Sequence, residues 1–407
     1  MKILKCCFFL LCSLLAICCE KTDPRDVDPG AVPENLPLVE NGKSVYSIAY
    51  AGAISNCTGL VKAISAKTGV TLGTYLAKDE THPCEIILGR SYRTETKEAI
   101  EALGGKDGYV IAASGHKLVI VGTNDTWTAL ALYYFQSSIL SKAGEGSLSV
   151  ASDYKYIVSY DNPMLLARLI KSGRAFSVAT AKVLDCPGDN ECVVAQGACC
   201  DGKYFYFANR NSGDTKTIIY RYDMTTLGKA GNTAPFAGGH SNDMTFDLLH
   251  NRAILAHGST EGKILTPIDA ETMAVGANIN ITVGSGAISY NAYHQGYCIS
   301  QGGSSFYVTD NDFKVKLSKS RTDNTGYTAQ GMGSDDYFVY FPMSGSKDNI
   351  LVVYDWEGKY VTTVTVPLSI ESESMFYANG NYYVNFYQGS SKGAALYRLE
   401  PKMFFTP

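Results

Sequence analysis

Charge is scarce in this chain. Only 18% of its 407 residues are Asp, Glu, Lys or Arg, and 35 basic against 39 acidic side chains leave a formal net charge of −4. Without a basic excess there is no electrostatic footprint for nucleic acid or for an anionic membrane surface. The pattern C-x-x-C does not occur, which argues against a zinc cluster. No G-x-S-x-G, P-loop or G-x-G-x-x-G string stands where a strand would turn into a helix, so the common nucleophile and nucleotide motifs carry no weight. The stretches GTYLAKD and GHKLVIVGTND do not qualify. The one strongly apolar run, near the start, is too short to cross ~30 Å of hydrocarbon comfortably as a helix.

What is abundant is tyrosine, at 28, and glycine, at 39, a balance that suits a turn-rich β protein. The opening MKILKCCFFLLCSLLAICCEKTD has Lys2 and Lys5, an apolar core, and then Cys18-Cys19 before polar sequence. That is the shape of an export signal. A cysteine directly after the apolar region resembles the lipobox of bacterial lipoproteins, which implies lipidation of Cys19 (or Cys18). The pattern departs from the lipobox in that Ile17 and Cys18 precede these cysteines where Gly, Ala or Ser is usual. An ordinary secretory signal and an uncleaved anchor remain open. The expectation is residues 1–19 as signal and a tether over 20–42, where Pro24, Pro29, Pro33 and Pro37 stand among acidic residues. Export would expose Cys57, Cys84, Cys186, Cys192, Cys199, Cys200 and Cys298 to oxidation. Their odd number leaves at least one thiol free or paired outside the chain, and Cys186–Cys192 and Cys57–Cys84 are the expected disulfides.

Residues 43–155 alternate between strand-like and helix-like pieces. SVYSIAY (44–50), CEIILGR (84–90) and the hairpin GYVIAASGHKLVIVG (108–122) read as strands. CTGLVKAISAKTG (57–69), TKEAIEALGG (96–105) and TWTALALYYFQSSIL (126–140) read as helices, which predicts a small α/β domain. The order EIILGR…GYVIAASGHKLVIVGTNDTWTALALYYFQSSIL resembles the accessory N-terminal domain of α-glucuronidases and β-hexosaminidases. That domain precedes a catalytic barrel in those families, and no barrel-sized α/β region follows here. The resemblance, over about a quarter of the chain, implies a carbohydrate-handling context and no activity. Arg90 and His116 are its conspicuous polar residues, and a lone histidine in a hairpin turn reads as solvated.

Residues 156–407 repeat. Strands ending in an acidic residue recur as IIYRYD (Asp223), ILTPID (Asp269), FYVTD (Asp310), LVVYD (Asp355) and ALYRLE (Glu400), at gaps of 46, 41, 45 and 45. A hairpin precedes each one, and AQG returns at 195–197 and 329–331. A period in the low-to-mid forties with several strands per unit looks like a β-propeller, here of five blades. The fold class is therefore mixed: a small α/β domain followed by an all-β five-bladed propeller. The last copy runs out at MFFTP (403–407), so AFSVATAKVL (175–184) is expected to supply its outer strand and close the ring.

Propeller ligands sit at the mouth of the central channel. The register places Gln196, His240 to Asp243, Ser289 to Asn291, Gln330 and Glu371 to Glu373 there, with Asn209, Arg210, His257, Gln301 and Tyr387 from the loops after the second strands. Five-bladed glycosidases carry three carboxylates on these inner strands, which by resemblance makes Asp243 and Glu373 the acid/base candidates. Amides and tyrosines suit sugar hydroxyls and apolar sugar faces. The expected binding set is thus Gln196, Arg210, His240, Asn242, Asp243, Gln330, Glu373 and Tyr387. His240 with Asn242 and Asp243 matches no closed metal motif, and no metal or cofactor is expected. The leading expectation is a lipid-anchored envelope protein that binds a glycan or another envelope ligand, without nucleic acid. A carbohydrate-active enzyme and a protein-interaction scaffold are the alternatives.

Overall fold

A computed structural model of the protein describes residues 28–407, apart from 190, 259–261, 303, 324 and 390–391. The signal and lipobox cysteines lie outside the described residues. The chain divides into two units. One holds the described residues up to Gly105, Tyr109–Val158 and Phe405–Pro407; the other holds Lys106–Gly108 and Ser159–Phe404. Among the described residues, no helix is long and apolar enough to cross a membrane.

The first unit is built on a six-stranded sheet. Its order is Gly73–Leu76, Ser47–Tyr50, Glu85–Leu88, Lys117–Gly122, Asp107–Ser114, Lys155–Tyr160. The first four run parallel. Helices α1 (Ile54–Thr68), α2 (Thr94–Glu101) and α3 (Asp125–Ser138) accompany it. α1 stops at Gly69, whose φ of 74° is the left-handed conformation that glycine adopts without a Cβ penalty. α3 starts where Asn124 accepts the Trp127 amide at 3.1 Å. Part of the expected tether is ordered. Asn35–Val39 forms a strand against Leu148–Ala151, because Leu36 and Leu38 are fully buried there. Cys57 in α1 and Cys84 before its strand are buried free thiols, so the expected bridge between them is not formed.

The second unit is a five-bladed propeller. Blade 1 is Val194–Cys200, Tyr204–Arg210, Thr217–Asp223 and Lys229–Asn232. Blade 2 is Asp243–Asp247, Arg252–Ala256, Ile264–Asp269 and Ile279–Asn280, and blade 3 is Ala287–Asn291, Gly296–Gly302, Ser305–Thr309 and Val315–Ser320. Blade 4 has an interrupted inner strand, Thr328–Ala329 and Gly333–Ser334, followed by Phe338–Ser344, Asn349–Asp355 and Tyr360–Val366. Blade 5 is Glu371–Ala378, Asn381–Tyr387 and Ala394–Lys402, completed by Ser177–Cys186 from before blade 1. The ring therefore closes as its register predicts. A short helix unforeseen from sequence, α4 (Leu165–Ser172), buries Leu166, Ala167 and Ile170 in the core of blades 4 and 5.

The repeating acidic residues are turn devices. Asp223 Oδ1 accepts the amides two and three residues on, as Asp269 does, while Asp310 and Asp355 accept those two and four residues on. Each fixes the turn between the third and fourth strands through a local side-chain to backbone bond. Glu400 closes no turn, because the strand beside it arrives from the other end of the unit. A second set, Asp201, Asp247, Asn291 and Asp335, caps the first hairpin of blades 1 to 4. Tyrosines bind these carboxylates: Tyr297 of blade 3 donates to Asp247 of blade 2 at 2.8 Å, and Tyr382 of blade 5 donates to Asp335 of blade 4. At these two positions a buried hydroxyl ties one blade to another. Cys186 and Cys192 share one apolar cluster but remain separate free thiols; Cys192 Sγ faces the Lys216 carbonyl at 3.6 Å.

Candidate functional site

Inner strands of adjacent blades approach closely at the mouth, and this explains AQG. A Cβ on Gly197 would lie 2.5 Å from the Asp243 carbonyl carbon, and one on Gly331 would lie 2.3 Å from the Glu373 carbonyl oxygen. Only glycine fits either place. The preceding residue in each case sits in a bulge. Register slips between Ala195 and Ala198, across Gln330 in the interrupted strand of blade 4, and between Ser372 and Ser374. Gln196, Gln330 and Glu373 are therefore turned out of the regular alternation, as bulges near sites do.

Blade 3 corrects the expected register. Asn291 is the hairpin cap, so Ser289 to Asn291 lie at the far end of the inner strand from the mouth. The mouth position of that blade belongs to Gly286, whose carbonyl receives Asn242 Nδ2. The same Asn242 amide also donates to the Gln330 carbonyl at 2.9 Å, tying blades 2, 3 and 4.

Asp243 is fully buried. Its Oδ2 accepts the Ile288 amide at 3.0 Å and the Met332 amide at 2.9 Å, and its Oδ1 accepts its neighbour Met244 at 2.9 Å. Burial pushes its carboxyl well above the usual carboxylate range, with the three amides opposing. Both oxygens are spent on backbone of three blades. A general acid or base must reach a substrate proton, and full burial with three backbone amides on its oxygens places this group poorly for that.

The rest of the expected set makes other contacts. Arg210, at the end of its strand, donates Nη1 to Asp214 and to the Asn211 carbonyl. His240 Nδ1 lies 3.0 Å from Asp214 Oδ2, and Gln330 donates to Glu371. Tyr387 ends the second strand of blade 5 and packs, half-buried, on the core between blades 5 and 1. His257 is buried against Thr266 at 2.6 Å. Glu373 is only 4% exposed, and among the described residues no protein group hydrogen-bonds its carboxylate. Burial, Glu371 and Asp243 push its carboxyl well above the usual range, while Arg210 opposes them. A cavity of about 170 Å³ opens beside Asn242, Gly286, Ala329, Gln330 and Gly331. Among the described residues, no three His, Cys, Asp or Glu side chains gather to hold a metal.

The seam between blades 1 and 5 is different. Phe205 and Phe207 of blade 1 pack with Phe376 and Tyr383 of blade 5, and strand alternation carries Asn209 and Asn385 onto those same faces. Asn385 donates to the Gln196 carbonyl at 2.7 Å. Six buried polar atoms here have no protein partner among the described residues: Gln196 Oε1, both amide atoms of Asn209, Arg210 Nε, Ser374 Oγ and Asn385 Oδ1. Asn385 and Ser374 were not foreseen. The signal for the former was present, since YYVNFY places one asparagine inside an otherwise apolar strand.

No protein-family model matches the chain, and no curated protein gives a significant sequence match. Solved structures similar to part of it include the Myxococcus xanthus glutaminyl cyclase, with 11% identity over 56% of this chain and 99% of that one at a TM-score of 0.41. The calcium-binding protein regucalcin from Agrobacterium tumefaciens has 10% identity over 57% and 99% at 0.38. The PQQ-bound aldose sugar dehydrogenase of Streptomyces coelicolor has 8% identity over 55% and 99% at 0.38.

Proposed function

We propose that the propeller mouth is a binding site for a glycan or another hydroxyl-rich envelope component, and that the protein recognises this ligand without transforming it. The observation that carries this reading is the set of six unpartnered buried polar atoms on blades 1 and 5. A buried amide without a partner costs about 1–3 kcal/mol, so a fold that keeps several in one place gains by a ligand that pairs them. Sugar hydroxyls donate and accept at once, which suits a mixture of amide oxygens and N–H groups. Hydrolysis is disfavoured because Asp243, one of the two acid/base candidates, is committed to backbone amides.

The same reading places the protein outside the cytoplasm, held to a membrane by a lipid on Cys19 (or Cys18). The accessory-domain resemblance of residues 43–155 supports a carbohydrate context. Screening the protein against a glycan array tests the site. Binding that Asn209→Leu and Asn385→Leu each weaken at least tenfold is expected, and a blank array would refute it. Metabolic labelling with a radioactive fatty acid tests the anchor, and label that persists in a double Cys18→Ser, Cys19→Ser variant would remove it.

A further inference from the structure

The unpartnered atoms at the seam are unevenly divided. Gln196 Oε1, Asn209 Oδ1 and Asn385 Oδ1 can only accept, Ser374 Oγ can do either, and Asn209 Nδ2 and Arg210 Nε donate. Beside them stands Glu373, on the bulge of its strand, buried and without a hydrogen-bonded protein partner among the described residues. The charged groups that reach Glu373 are Glu371 on its own strand, Asp243 from blade 2 and Arg210 from blade 1. Two of the three are acidic. The third already spends Nη1 on Asp214, whose other oxygen faces His240. The site is thus rich in acceptors and holds a carboxylate short of a counter-ion, an arrangement that burial makes costly until a cation completes it.

Resting on the glycan-binding reading, we propose that the ligand bears a protonated primary amine, as an amino sugar does, and that this ammonium seats against Glu373 and the neighbouring amide oxygens. An ammonium brings three donors and one positive charge to a compact point, whereas a hydroxyl brings one donor and no charge. A metal ion is the weaker match, because a hard divalent cation wants six or more oxygens and several carboxylates, and among the described residues only Glu373 is a buried, uncommitted carboxylate at this mouth. The raised carboxyl of Glu373 fits the same picture. A cation seated against it would act in the opposite direction to burial and favour the carboxylate.

Calorimetric titration of the protein with chitosan oligosaccharides, which carry free amines, and with chitin oligosaccharides, which are acetylated, tests the proposal without any variant. The amine form is expected to bind at least tenfold more tightly. Glu373→Gln should abolish the preference, leaving the acetylated form within about threefold, while Glu371→Gln, at an exposed position, should keep most of it. Equal binding of the two oligomers, or a preference unchanged in Glu373→Gln, would overturn the proposal. So would a stabilisation by calcium chloride alone that amines do not compete away. Neutral glycans binding in place of amines would leave the glycan site standing and remove the ammonium. No binding of any sugar would remove both.

Discussion

Two seams of one ring, at the same height, treat polar groups in opposite ways. Between blades 2, 3 and 4, Asn242 and Asp243 give their side chains to the Gly286 and Gln330 carbonyls and to the Met244, Ile288 and Met332 amides. Between blades 5 and 1, Asn209 is equally buried and its amide meets no hydrogen-bonding protein group among the described residues, while Asn385 uses its nitrogen and its oxygen has no such partner. Full satisfaction marks polar residues that hold the ring, and a concentrated deficit marks those held ready for something else. The bulges follow the same division. Gln196 and Glu373 are turned out of register on the unsatisfied seam, where a side chain must be re-aimed, whereas the bulged Gln330 on the other seam gives its carbonyl to Asn242 and its side chain to Glu371.

The largest loss is expected from a steric clash where the inner strands of blades 4 and 5 meet. Gly331→Ala would set a Cβ 2.3 Å from the Glu373 carbonyl oxygen, and neither inner strand can yield without parting the blades. A loss of about 3 kcal/mol or more is expected by denaturant titration. Gly213→Ala, with nothing within 4 Å, should stay within about 0.5 kcal/mol. Next comes Asp243→Ala, which strands the Ile288 and Met332 amides in a dry interior and should cost about 3 kcal/mol. Asp243→Asn keeps an acceptor and should lose less than half as much. If Asp243→Ala proved neutral, the carboxylate would not be the tie described here.

On the unsatisfied seam the expectation reverses. Asn209→Leu removes two unpaired buried polar atoms and replaces them with an apolar side chain of similar bulk. Stability should hold within about 1 kcal/mol or rise, even as ligand binding falls. A loss as large as that of Asp243→Ala would show that Asn209 is part of the scaffold, and the contrast between the seams would collapse.

The sequence carried the ring further than the mouth. Four of the five acidic strand ends recur because each caps a turn with its own carboxylate, a purely local device that leaves a period in the text. The closing strand was legible because the fifth repeat ran short. Blade 3 misled because its mouth position is Gly286, a residue with no side chain to notice, while the polar Ser289 and Asn291 belong to the far end. HSND looked like chemistry, and no local pattern could reveal that Asp243 binds amides 45 and 89 residues away. Part of the expected tether proved to be a strand because two alternating leucines, Leu36 and Leu38, outweigh the prolines around them.

The smallest effects separate the buried carboxylate from the rim. Glu373 has a folded-state pKa raised above its unfolded value, so its contribution to stability is full below the unfolded pKa, near 4.3, and is lost as pH rises through the higher folded value. The melting temperature should therefore decline as pH climbs above the usual carboxylate range, and Glu373→Gln should decline less over the same interval. His240 makes its contact with Asp214 at a partly exposed rim, where an ion pair is worth about 0–1 kcal/mol, so His240→Ala should shift stability by less than about 0.5 kcal/mol and weaken further in salt. If His240→Ala altered the pH slope more than Glu373→Gln, the titrating group of the mouth would lie on the rim, and the unsatisfied seam would have lost its charge.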